Sequence, residues 1–340
     1  MPKLLTPLLL MAVAVLAIAF FIRGGQLMYA VQSVNSSWAT TNITNSAPYE
    51  EGWSCSDDYT GSVDTTVDLN GGSYKIVTCN STVTDFNGAN DFNGTSIASA
   101  FAFFGPATSW TSCIIGGSPN FVNCVLNTSC AWLLPIKNVT SQYLECKFAL
   151  WFNANNTTAG SEYWNATHYQ IIDLGGLTSN TGVYDTIEMA PLLAIGVDSV
   201  LAFGVKSAGV NDTNVGSGCG SNPNCKVNVT NYGNIKFDVM VNGSAMTCVG
   251  GSGGTIQPYS LKYSLTDNSA FTSGTSLTAT MTDSLATLTT FNLLPNQTTS
   301  IRSDPPTAPG KPTWWGIGVP PGVNGNCQGI VWFTAVDSPD

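Results

Sequence analysis

Beyond residue 30 the chain nowhere sustains a 3.6-residue apolar period for three turns, and Ser, Thr, Gly and Asn interrupt it at the intervals that separate short strands. Such a chain has no amphipathic helices from which to build a core, so it must pack sheet on sheet. Ser73–Cys79 and Leu144–Phe152 alternate apolar and polar side chains, the second ending against the Asn- and Gly-containing stretch 153–160. Lys226–Thr230, Ile235–Val241 and Gly329–Ala335 are further strands, and the chemistry of Asn231–Asn234 predicts a hairpin turn between the first two. Residues 303–312 are proline-rich and predict a surface loop. A boundary falls at Ala190–Pro191. At 340 residues and 43% hydrophobic, the chain has material for about two cores. The expected fold class is therefore all-β: two tandem Ig-like β-sandwiches at 49–190 and 191–340, after an N-terminal helix at 1–30 and a Ser/Thr/Asn-rich stalk at 31–48.

The cysteines are Cys55, Cys79, Cys113, Cys124, Cys130, Cys146, Cys219, Cys225, Cys248 and Cys327, six before the boundary and four after it. The number is even in each half, and no Cys-x-x-Cys pair suggests zinc or redox chemistry, so disulfides are expected. The preferred pairing joins Cys55 with Cys79, Cys113 with Cys124, Cys130 with Cys146, Cys219 with Cys225 and Cys248 with Cys327, although the six cysteines of the first half alone allow 15 connectivities.

An oxidising compartment needs a way in. Leu4–Ile22 is a run of 19 residues without a charge, and as a helix it would span about 28 Å, close to the hydrocarbon thickness of a bilayer. Signal peptides carry shorter apolar regions followed by a small-x-small cleavage site, whereas here Ala17-Ile18-Ala19 lies inside the run. A retained anchor is favoured over a cleaved signal. A third reading is a pilin-like stem packing against other copies, but only Met1-Pro2-Lys3 precede the run, without the basic-Gly processing pair.

Asn-x-Ser/Thr acceptors occur at Asn35, Asn42, Asn80, Asn93, Asn127, Asn138, Asn155, Asn156, Asn165, Asn211, Asn228, Asn242 and Asn296. These thirteen exceed the roughly six that composition alone would produce, and so favour a glycosylated exterior. Charged residues make up only 9% of the chain, 21 acidic against 11 basic, for a net charge of -10. No basic surface is available to neutralise phosphates, which excludes nucleic acid as a partner. His168 is the single histidine, so no multi-histidine metal site can form.

Two stretches carry a resemblance. NVTNYGNIKFDVMVNGSAMTC at 228–248 and WWGIGVPPGVNGNCQGIVWFTA at 314–335 resemble blocks that recur in a group of archaeal secreted or membrane-anchored surface proteins, with fainter echoes in VTCNSTVTD at 77–85, NTSC at 127–130 and ECKFALWF at 145–152. The similarity covers most of 73–336. It departs at Trp164, which Asn165 follows where members of the group often carry a cysteine. The resemblance implies an Ig-like surface protein and brings no catalytic residues with it.

Candidate chemistry is sparse. In the stretch Asp85–Gly94, Asp85, Asn87 and Asp91 place oxygen-bearing side chains in a Gly-rich loop suited to a hard cation such as Ca²⁺, although no glutamate closes an EF-hand and an Asn/Asp turn is the simpler reading. Glu50–Glu51 and Asp57–Asp58 are adjacent carboxylates that point to opposite faces of a strand and read as solvated charges. Glu162 and His168 could in principle meet as an acid-base pair, but His168 sits beside a sequon in an Asn- and Tyr-rich stretch and reads better as a surface histidine. Trp314, Trp315 and Trp332, with Trp151 and Trp164, are either core fillers or a platform for sugar rings, and adjacent tryptophans on a strand must face opposite ways. The Gly-x-Ser-x-Gly spacing occurs at 250–254 around Ser252, but a chain without a helical period there offers no strand-to-helix nucleophile elbow. The expectation is a non-enzymatic, membrane-anchored cell-surface glycoprotein with a structural or adhesive role and no cofactor beyond a possible Ca²⁺. A carbohydrate-binding module and a filament or lattice subunit are the alternatives, with glycans, other envelope proteins or further copies of the chain as partners.

Overall fold

The computed structural model describes residues 44–57, 65–92, 100–104, 113, 120–134, 137–168, 171–179, 185–212, 226–265, 274–279, 291, 293–295 and 306–338. Among these residues the fold is all-β, in several antiparallel sheets. The first half contributes β1 (Tyr49–Ser56), β2 (Thr66–Val67), β3 (Tyr74–Thr84), β4 (Ala100–Phe104), β5 (Cys124–Leu133), β6 (Ser141–Trp151), β7 (Trp164–His168) and β8 (Asp185–Met189), joined in the order β1-β3-β6-β5-β4-β7-β8-β2. Among the described strands of this half only the β2–β8 pair is parallel.

Strand β5 turns this sheet into two layers. Its first residues pair with β4, its later ones with β6, and the register slips between Asn127 and Ser129. A bulge of that kind bends a strand and lets it leave one layer for the other. As a result β1 packs against β7 and β8. Alternation supplies the filling: Val77, Cys79 and Val83 of β3 and Leu144, Cys146, Phe148 and Leu150 of β6 point inward, joined by Trp164 and Ala166 of β7 and Ile187 and Met189 of β8. Each large side chain so buried contributes about 1.5–3 kcal/mol.

The second half holds β9 (Ile195–Val197), β10 (Asn211–Asp212), β11 (Lys226–Asn231), β12 (Phe237–Gly243), β13 (Met246–Ile256), β14 (Leu261–Ser264), β15 (Thr275–Ser276), β16 (Gly310–Gly318), β17 (Asn324–Gln328) and β18 (Val331–Asp337). One sheet runs β15-β14-β16-β11-β9, with β10 also on β16, and two ribbons, β12–β18 and β13–β17, complete the half. Val227, Val229, Leu261, Tyr263, Trp315 and Ile317 from the sheet share a core with Phe237, Val239 and Val241 from β12.

Two sequence expectations fail here. The predicted hairpin does not form, because β11 pairs with β9 and β16 while β12 pairs with β18. Asn231, fully buried, donates from Nδ2 to the carbonyls of Ile235 (2.9 Å) and Leu293 (3.0 Å) and accepts the Gly233 N–H at 2.8 Å. These bonds carry the chain from the sheet to the ribbon instead of folding it back on itself. The proline-rich loop also ends early, since β16 starts at Gly310 and includes Pro312, opposite Asn228. The pairing of β14 with β16 reaches only Trp314, so Pro312 sits where β16 has a neighbour on one side, a place that tolerates a missing N–H.

The two cores meet at a stitched seam. Asn234 accepts the Leu192 N–H (2.6 Å) and donates to the Ala190 carbonyl (3.1 Å), while Tyr232 receives the Gly72 N–H on its carbonyl (3.0 Å) and sets its ring edge-on to Phe152. Gly233 is required there, because a Cβ would lie 2.0 Å from the Leu192 carbonyl oxygen. Ser46–Asp340 thus behaves as one unit.

Disulfides join Cys55 to Cys79 across β1 and β3, Cys130 to Cys146 across β5 and β6, Cys113 to Cys124, and Cys248 to Cys327 across β13 and β17. Cys219 and Cys225 lie outside the described residues. Four disulfides indicate an extracellular location. Among the described residues no helix is long and apolar enough to cross a membrane, and the run Leu4–Ile22 falls outside them.

Tyr263 gives this core a pH signature. The side chain is 1% exposed, and burial pushes its hydroxyl up to about 12, with the Thr275 side chain opposing in part. The folded value lies above the ordinary one, so its contribution is complete below pH 10 and is lost as the pH rises through about 12. The loss should reach about 2 kcal/mol at the alkaline end. Thermal melts of Tyr263→Phe from pH 10 upward should fall less steeply than those of the parent, and parallel curves would refute the assignment.

Candidate metal centre

Asp85 is the first residue beyond β3. Its backbone N–H donates to the Thr140 carbonyl (2.8 Å), and its Oδ1 accepts the Asn87 N–H at 2.7 Å, the geometry of an Asx turn. The chain then reverses through Gly88, whose φ of 126° lies in a region that favours glycine, into a single 3-10 turn at Ala89–Asp91. Phe92 anchors that turn, being 1% exposed and stacked on Trp132 with ring centroids 4.9 Å apart.

Asp173 reaches the same place from another segment. It follows the bridge between Ile172 and Thr178, and its Oδ1 accepts the Leu177 N–H at 2.7 Å across the tight loop 173–177. The Leu174 N–H donates to the Asp91 carbonyl (3.1 Å), which docks the loop on the turn. Carboxylate oxygens of Asp85, Asp91 and Asp173 consequently lie within 4.8 Å of one another. Asp85 is 0% exposed, Asp173 4%, and Asp91 is half-buried.

Burial is the largest influence on Asp85 and pushes its carboxyl upward. The Asn87 N–H opposes this, and the Asp91 and Asp173 charges add to the rise. Asp85 Oδ2 is buried and, among the described residues, has no hydrogen-bond donor. An all-oxygen, anionic cluster of this kind can take up a hard cation or share protons, and it lacks the sulfur or imidazole donors that select zinc or copper.

The sequence placed Asp85, Asn87 and Asp91 together. Asn87 must be removed from that set, because its Oδ1 accepts both the backbone N–H (2.8 Å) and the hydroxyl (2.9 Å) of Ser46. Asp173 replaces it.

The other candidates do not assemble. Glu50 is 6% exposed, not solvated, while Glu51 accepts the Thr84 hydroxyl (2.6 Å) and lies 4.0 Å from Lys137. Asp57 pairs with Lys75 at 3.4 Å, and Asp58 lies outside the described residues. Glu162 accepts the Thr158 N–H, and the side chain of His168 is outside the described set. Trp164 and Trp315 are core residues at 1% exposure. Trp151 is half-buried against Tyr74 and Phe121, Trp314 is half-buried, and Trp332 is 44% exposed, so the five share no platform.

Among the sequons, Asn80, Asn138 and Asn211 are exposed, and Asn127, Asn155, Asn156, Asn228 and Asn242 are half-buried. Asn165 is 3% exposed in a strand whose residues 164–167 are all buried between β4 and β8, which leaves no room for a glycan. Asn35, Asn42, Asn93 and Asn296 lie outside the described residues.

No protein-family model matches the chain, and no curated protein does. Among solved structures, the C-terminal domain of the Streptococcus agalactiae AgI/II polypeptide BspA aligns over 85% of this chain and 97% of that one, at 9% identity and a TM-score of 0.17. A likeness at that level carries no argument about fold or function.

Proposed function

We propose that the protein is a membrane-anchored, N-glycosylated cell-surface protein of two Ig-like β-sandwiches, with a structural or adhesive role in the cell envelope and no enzymatic activity. The observation that supports this most is the set of four disulfides, three of them laid across paired strands, a form of reinforcement that persists in oxidising surroundings. The 19-residue apolar run would deliver and hold the module there, and the acidic, sugar-bearing surface would keep it soluble. Its partners would be neighbouring envelope proteins or further copies of itself, meeting at unpaired edges such as that of β9. Fractionation of native cells should place the chain in the membrane fraction, and its intact mass should fall on deglycosylation and rise on reduction. A cytosolic chain with free thiols would end this reading.

One observation favours a second reading, carbohydrate binding. Trp332 borders a groove of about 440 Å³ whose other walls include Asp198, Ser199, Ser244 and Phe333, an exposed aromatic face beside polar groups. Polysaccharide should then change the tryptophan fluorescence of the parent and not of Trp332→Ala. A parent that gives no response removes this alternative.

A further inference from the structure

We propose that Asp85, Asp91 and Asp173 bind one hard divalent cation, Ca²⁺ from the extracellular medium, and that the ion ties the 173–177 loop to the turn after β3. This goes beyond the surface-protein reading and does not depend on the anchor.

Two observations carry it independently. The first is convergence: segments 82 residues apart in sequence bring carboxylate oxygens within 4.8 Å of one another, although like charges repel. The second is a buried acceptor with no donor. Asp85 is 0% exposed, and its Oδ2 has no hydrogen-bond partner among the described residues, a costly arrangement for an oxygen that would carry negative charge. A cation removes both costs together. With all three groups ionised the cluster carries three negative charges, and one divalent ion leaves a single one.

The donors are all oxygens, which suits Ca²⁺ or Mg²⁺. Mg²⁺ demands near-ideal octahedral geometry and gives up water reluctantly, whereas Ca²⁺ accepts six to eight ligands in irregular arrangements. Here the carboxylates come from a turn and a loop, and the half-buried Asp91 leaves a side open to water ligands. This geometry favours Ca²⁺. The competing occupant is a proton, which would leave Asp85 neutral and no place for an ion.

The full chain, purified in detergent and stripped with EGTA, is titrated with CaCl₂ at pH 7 by calorimetry, and its unfolding temperature is followed in parallel. With an affinity in the range of extracellular calcium modules, about 5 mM CaCl₂ should raise the unfolding temperature by about 5 °C. Asp173→Asn and Asp91→Asn should each lose that rise, and should lower the calorimetric stoichiometry by one ion. Their metal-free unfolding temperatures should equal or exceed that of the parent, because each removes a like charge, and this separates lost binding from a damaged fold. Absence of heat and of any thermal shift in the parent would show that protons neutralise the cluster and would overturn the proposal. An undiminished shift in both variants would place the ion elsewhere and overturn it as well, and a larger shift with MgCl₂ would overturn the choice of Ca²⁺.

Discussion

Replacing Cys248 and Cys327 together by alanine should lower the stability of the protein by about 4 kcal/mol and its unfolding temperature by about 10 °C. The reason is loop length. This bridge spans 79 residues, against 24 for Cys55–Cys79, 16 for Cys130–Cys146 and 11 for Cys113–Cys124, and the chain entropy removed from the unfolded state grows with the logarithm of the loop. The ribbon it closes has few other attachments. Most of β13 is exposed, its middle is Gly-Gly-Ser-Gly-Gly, and its register with β17 slips between Val249 and Gly253. Cys248 belongs to the second core and Cys327 packs against it, as Cys55, Cys79 and Cys146 belong to the first, so what distinguishes this bridge is the length of its loop. Denaturant unfolding of the double variant is the measurement, with a lower midpoint and a steeper slope because the unfolded chain loses its cross-link and exposes more surface. A loss below about 1 kcal/mol would show that the unfolded chain is not restrained through this closure.

What the sequence conveys of this fold follows from which interactions are local. The alternation in β3 and β6 is legible because each residue declares its face by its neighbours two positions away, and Val77, Cys79, Leu144, Cys146 and Phe148 all lie inside as that pattern requires. Strand partnership is not local. Asn231–Asn234 carries a turn signature, yet the bonds that decide its path run from Asn231 to Leu293, 62 residues on, so β11 and β12 part company. Burial of Asn165 is hidden for the same reason, since a sequon has no means of stating what covers the faces of its strand.

The cluster of aspartates divides along the same line. Asp85 and Asp91 stand six residues apart in an Asn- and Gly-rich stretch, a pattern that predicts a turn bearing oxygen donors. Asp173 belongs to an ordinary Asp-Leu-Gly-Gly turn, and nothing near it in sequence points toward Asp85. Asn87 is indistinguishable from a ligand until Ser46 takes its oxygen.

Trp315→Ala should cost about 4 kcal/mol, whereas Trp332→Ala should change stability by no more than about 0.5 kcal/mol. Trp315 is 1% exposed and packs against Tyr263, with centroids 5.4 Å apart, and edge-on to Phe333 at 5.8 Å. Its Nε1 donates to the Thr313 hydroxyl at 2.9 Å, which in turn donates to the Val227 carbonyl at 3.1 Å, so the ring also fixes a buried polar relay between β16 and β11. Truncation leaves a cavity in the middle of the second core and removes one link of that relay, and both effects destabilise. Trp332 is 44% exposed on β18, against 1% for Trp315, so its removal uncovers far less of the core. Far-ultraviolet circular dichroism is the appropriate probe, because the substitutions remove the fluorophores themselves. Equal costs for the two would mean that the β12–β18 ribbon does not pack over the sheet as described, since only that packing makes one tryptophan a core residue and the other a surface one.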